Sequence, residues 1–134
     1  MKTQQLFGWA LVLTLLVAPG KIGRAENQAM AEEATSVIRQ SCTGYAGPYP
    51  CYESLSAWET AYGGIDFGAH AQGDLVAADK VAVARIEGTW TQADTAPLSL
   101  GGWTTDATHY IRIYTTPEAR HHGTPASGYR LENS

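Results

Sequence analysis

Three apolar patterns organise this chain. Val81 and Val83 fall on one face of an extended run and Ala82, Ala84 and Ile86 on the other, as in a strand covered on both sides. From Tyr110 to Tyr114 the alternation is clean, with Ile111 and Ile113 inward and Tyr110, Arg112 and Tyr114 outward. In CYESLSAWETAYGG, Leu55, Trp58 and Tyr62 recur at i, i+3 and i+7, the apolar stripe of a helix. Ser54 caps its first turn, or Ser56 and Glu59 do so as a capping box, and Gly63-Gly64 stops it. About two turns of helix do not stand alone in water, so this one must lie on an apolar surface.

Weaker signals fill the intervals. Thr35 to Ser41 alternates as a first short strand, with Val37 and Arg39 on one side and Ile38 on the other. Ile65 to Phe67 is a weak strand inside a loop, and Asp74 to Lys80 is a turn that presents the Val81 run. Leu98 and Leu100 share a face after Pro97, and Tyr129 and Leu131 pair in the same way near the end. The strands stand roughly 13 to 19 residues apart, too far for tight hairpins and without the helices of βαβ units. A coil of short strands stacked rung on rung, with a column of inward Leu, Ile and Val, meets both conditions.

The first residues read as an address. Lys2 precedes an apolar run from Leu6 to Ala18 that is short for a membrane span, and Pro19-Gly20 ends it. Gly23-Arg24-Ala25 offers small residues for signal peptidase, with Ala29-Met30-Ala31 a second candidate, so residues 1–25 are expected to be a signal peptide. Membrane attachment is then expected only through an uncleaved signal. Cleavage removes three of the 9 Lys and Arg residues and none of the 13 acids, which moves the formal charge from −4 to −7. Such a chain repels phosphate backbones, so nucleic acid is not an expected partner. In an exported chain the close pair Cys42 and Cys51, around a Gly- and Pro-bearing loop, reads first as a disulfide.

The runs YESLSAWETA, QGDLVAADKVAVARIEG, LSLGGWTTDATHYIRIYTTPEARHHG and YRL resemble the N-terminal opening of secreted right-handed parallel β-helix proteins, the broad pectate-lyase-like superfamily. The resemblance covers roughly residues 52–131 and is most specific from Trp103 to Thr115. It implies a mainly β fold, the start of a right-handed parallel β-helix with a short N-terminal capping helix. The organisation expected is a signal peptide over 1–25, a leader, first strand and cysteine loop over 26–51, and helix-capped opening coils over 52–134. Two features depart from the family pattern. The Cys42 to Cys51 loop stands where a Gly-rich turn usually leads into the cap helix, and residues 65–72 read as an insertion. Members usually continue through many further coils that carry their catalytic groups, so the resemblance implies a truncated cap region.

The candidate chemistry is sparse. Arg112 between Tyr110 and Tyr114 is similar to the basic and aromatic ladders that grip acidic sugars, and these three are the candidate ligand-binding residues, beside the plainer reading of an exposed polar face with cross-strand Tyr packing. Glu118, His121 and His122 form an ExxHH cluster, read as a solvated corner because a zinc site needs further ligands and a supporting shell. Trp90 and Trp103 beside small residues read as corner packing before sugar stacking, and His70 and His109 have no partner visible in sequence. No nucleophile elbow, P-loop or dinucleotide fingerprint occurs, so no catalytic residue, metal site or cofactor is expected. The expected function is a non-catalytic, exported scaffold at the cell surface or beyond it, contacting polysaccharide or cell-surface components and prone to self-association. The alternative is the N-terminal fragment of a polysaccharide lyase or glycoside hydrolase.

Overall fold

The computed structural model describes residues 30–63, 73–124 and 126–132, the side chains of 62 and 63 excepted. The signal peptide expected over 1–25, the weak strand at 65–67 and the Tyr62 part of the helix stripe lie outside the described residues. Six elements follow in order: β1 (Glu32–Ile38), β2 (Cys51–Tyr52), α1 (Leu55–Gly63), α2 (Leu75–Ala78), β3 (Lys80–Ile86) and β4 (Ile111–Thr115). The strands form one sheet, ordered β2-β1-β3-β4, and every neighbouring pair is parallel. No helix among the described residues is long and apolar enough to cross a membrane.

The run apolar on both faces is the centre of this sheet. β3 pairs residue for residue with β1, from Glu32 opposite Lys80 to Ile38 opposite Ile86. On its other side it pairs with β4, from Ala82 opposite Ile111 to Ile86 opposite Thr115. Because side chains alternate, the register stacks Ala34, Ala82 and Ile111, then Ser36, Ala84 and Ile113, on one face. Val37, Arg85 and Tyr114 share a row on the opposite face, next to Thr35, Val83 and Arg112. Two single parallel bridges lie outside the strands, Asp74 with Thr104 and Asp94 with Leu131. Two successive passes of the chain, 74–94 and 104–131, therefore meet in parallel at three places.

The inward face carries the core. Ile38, Leu55, Trp58, Leu75, Ala82, Ala84, Ile86, Trp90 and Ala119 are buried together, with Ile111 and Ile113 packed against them. α1 delivers Leu55 and Trp58 to this core, as its spacing predicts, and the Trp58 ring stacks on Trp103 with centroids 5.9 Å apart. Ser54 is the cap: its Oγ accepts from the Ala57 N–H at 2.9 Å. Ala31, Val81 and Val83 make a smaller cluster on the outward face, so β3 is covered on both sides.

Some elements differ from expectation for local reasons. β1 begins three residues earlier than the alternation predicts, because Glu32 and Glu33 gain partners in Lys80 and Arg112. The turn before β3 contains α2, whose N-cap Asp74 accepts from the Ala77 N–H at 2.9 Å. It ends on Asp79 in the left-handed region, φ 53°. Pro97 to Leu100 forms no strand, since Pro97 has no N–H to donate; Leu98 packs against the core and Leu100 is exposed. Among the described residues near the end only Leu131 bridges to a neighbour, while Tyr129 packs into the core.

Cys42 and Cys51 are disulfide-bonded, with Cα atoms 5.9 Å apart, and the loop they close is laced to β1 through Cys51 and Tyr52. Closing so short a loop contributes about 2–3 kcal/mol. The paired change Cys42→Ser and Cys51→Ser is expected to lower stability by that amount in urea titration. The β signal in far-UV circular dichroism should be retained, because β1 keeps its full ladder with β3.

Candidate functional site on the outward sheet face

The three residues expected to bind a ligand do share one side of the molecule. Tyr110 and Tyr114 are each more than a third exposed, one just before β4 and the other on it. Arg112 lies between them but is already engaged. Its guanidinium donates to Glu33 Oε2 at 2.8 Å and lies over the Tyr114 ring, 5.5 Å from the centroid. Glu33 is on β1 and Arg112 on β4, so the pair reaches across β3. Val83, between Thr35 and Arg112 on the same face, is fully buried.

Further along the same face, the disulfide loop supplies two more aromatic rings. Arg85 lies over Tyr49 at 5.1 Å and Arg39 over Tyr45 at 5.4 Å. Both guanidiniums are ion-paired to Glu87, at 2.9 Å from Arg85 and 2.8 Å from Arg39. Register places Arg85 beside Tyr114, so phenol and guanidinium groups run as a continuous strip from Tyr49 to Arg112.

At the N-terminal end of β1 and β3 this face opens into a groove of about 180 Å³, lined by Met30, Ala31, Glu33, Val81, Thr108 and Tyr110, with Ala107 beside them. Buried Ala31 and Val81 form its floor. One wall is the turn from Asp106 to His109, which holds itself together: Asp106 Oδ1 accepts from the Thr108 N–H at 2.8 Å and the His109 N–H at 2.7 Å.

His109 ties that wall to the end of α2. Its Nδ1 faces Asp106 Oδ1 at 2.8 Å and its Nε2 faces Asp79 Oδ1 at 3.0 Å. Hydrogen bonds to Asp79 and then Asp106 raise the imidazole above its ordinary value. The bonds from Thr108 and His109 hold the Asp106 carboxyl down at about 2. A raised histidine stabilises the fold while both states are protonated, below its unfolded value near 6.5, and that contribution is lost as pH rises through the folded value. Wild type is therefore expected to lose stability from mildly acid to mildly alkaline pH, and His109→Gln to flatten the profile. Urea midpoints across that range check it; an unchanged slope in the variant would contradict the pinning role.

The other sequence candidates are dispersed. Trp90 is buried, donates from Nε1 to the Glu87 carbonyl at 3.2 Å and meets Tyr129 edge-on at 4.8 Å. Trp103 is committed to Trp58. His121 Nδ1 accepts from the Gly123 N–H within its own turn. Among the described residues no three His, Cys, Asp or Glu side chains converge as a metal would require. The groove and the Asp79, Asp106 and His109 cluster are absent from the sequence reading. Asp79 lies 30 residues from His109, and only the local Asp-x-x-His spacing hints at the Asp106 contact.

No protein-family model, curated protein or solved structure matches this chain.

Proposed function

We propose that the chain is an exported, non-catalytic scaffold, the opening of a right-handed parallel β-helix capped by α1, and that its outward face contacts a polysaccharide at the cell surface. The observation that carries this reading is the parallel meeting of successive passes at three places, Asp74 with Thr104, β3 with β4, and Asp94 with Leu131. A rung-on-rung coil produces that pattern, and the exposed strand of such a coil offers a ladder of outward side chains at a fixed spacing. The disulfide supports an oxidising destination. Charged groups on the face are spent on one another, Arg112 on Glu33 and His109 between two aspartates, which favours adhesion over proton transfer.

Retention of the exported protein on insoluble polysaccharides tests the reading. An aromatic platform is worth about 0.5–1.5 kcal/mol, so Tyr110→Ala and Tyr114→Ala should each weaken retention by about 2- to 10-fold. Retention that survives both changes together, or no retention on any polysaccharide, would contradict it.

A further inference from the structure

We propose that the groove beside Tyr110 receives a cationic hexosamine, a sugar unit with a free ammonium group, of the polysaccharide that the outward face contacts. The inference rests on that reading of the face and adds the chemical class of the sugar. Size comes first. A space of about 180 Å³ is well below the roughly 300–1,000 Å³ of pockets for drug-sized ligands, and suits a single ring. Its floor of Ala31 and Val81 and its Tyr110 wall offer the apolar surface on which the C–H face of a pyranose packs.

Charge then selects among sugars. One carboxylate, Glu33, lines the groove, and a second, Asp106, belongs to the turn that walls it; Glu32 alternates to the opposite face of β1, where it meets Lys80. The cations on this face are already committed, Arg112 to Glu33 and His109 to Asp79 and Asp106. A uronate would have to displace Glu33 from Arg112 while lying beside the Asp106 turn. A neutral sugar gains the platform only. An ammonium gains the Tyr110 face together with Glu33, whose Oε2 alone is used by Arg112. This preference runs opposite to the acidic sugars that Arg112 between two tyrosines suggests in sequence, because Glu33 is 79 residues distant along the chain.

The test is titration of the exported protein, on the acid side of neutrality where the sugar amine is charged. The probes are a glucosamine hexamer, its fully N-acetylated counterpart, a galacturonate hexamer and the tripeptide Ala-Lys-Ala with blocked ends. Methyl signals of Met30, Ala31 and Val81 report the groove. A partly exposed ion pair with a cation–π contact should favour the glucosamine hexamer over the acetylated one by about tenfold. Glu33→Gln should erase most of that preference. Arg112→Gln, which frees Glu33 from its competitor, should keep or sharpen it, so a folding defect in one variant leaves the other decisive. Equal or tighter binding of the acetylated or galacturonate hexamer overturns the inference and leaves polysaccharide contact standing. Binding of none of the hexamers overturns both. A lysine tripeptide that binds as tightly as the amino sugar overturns the assignment to a sugar.

Discussion

Replacing Trp58 with alanine is expected to cost about 3–5 kcal/mol. The ring is fully buried, lies in the same cluster as Leu55, Leu75 and Ile86, and stacks on Trp103. Its removal leaves a cavity that the inward residues of β3 cannot fill, because Ala82 and Ala84 are already the smallest chiral side chains. Domains of this size are typically stable by only about 5–15 kcal/mol, so the variant should be largely unfolded in mild urea. Loss of the Trp near-UV signal at low denaturant is the expected result. A urea midpoint equal to that of wild type would mean that α1 is not docked on the sheet.

The second large effect is expected at Asp94, a buried carboxylate that ties three separate segments together. Its Oδ2 accepts from the Leu55 N–H at the start of α1, at 2.9 Å, and from the Tyr129 hydroxyl at 3.0 Å. Its Oδ1 accepts from the Ala96 N–H at 3.2 Å, and its backbone bridges to Arg130 and Glu132. Burial first, and the Asp94 charge next, push the Tyr129 phenol far above its usual range, so it stays a donor at every physiological pH. Asp94→Ala strands these donors in or near the core, at about 1–3 kcal/mol for each that stays unsatisfied. A loss of at least about 3 kcal/mol is expected. Tyr129→Phe removes one donor along with its need for a partner and should cost only about 1 kcal/mol. Equal losses in the two variants would show that the hydroxyl, not the carboxylate, is the centre of the network.

Residues whose pattern is local were legible. The alternation of Ile111, Arg112 and Ile113 located β4 and its faces, the two-sided Val81 to Ile86 run located the central strand, and Leu55 with Trp58 located the docked helix. The spacing of Cys42 and Cys51 sufficed for the disulfide. What escaped depends on partners distant in sequence. TQADTAP reads as a polar turn, and nothing in it marks Asp94 as buried, since its donors at Leu55 and Tyr129 lie 39 and 35 residues away. The groove needs Ala31, Val81 and Tyr110 from three strand ends, so it exists only once the register is set. Leu98 and Leu100 show the opposite failure: their alternation is real, yet Pro97 and the lack of a neighbouring ladder leave them out of the sheet.

The outward face and its groove both depend on the parallel register of β1, β3 and β4, and amide-to-Hα nuclear Overhauser contacts in the isotope-labelled protein measure it directly. The parallel arrangement predicts such contacts linking Thr35, Val83 and Arg112, and linking Ser36, Ala84 and Ile113, with further ones joining Asp74 to Thr104 and Asp94 to Leu131. Strong Hα-to-Hα contacts between β3 and either neighbour, the mark of antiparallel pairing, would contradict it and remove the basis for both the coil and the groove.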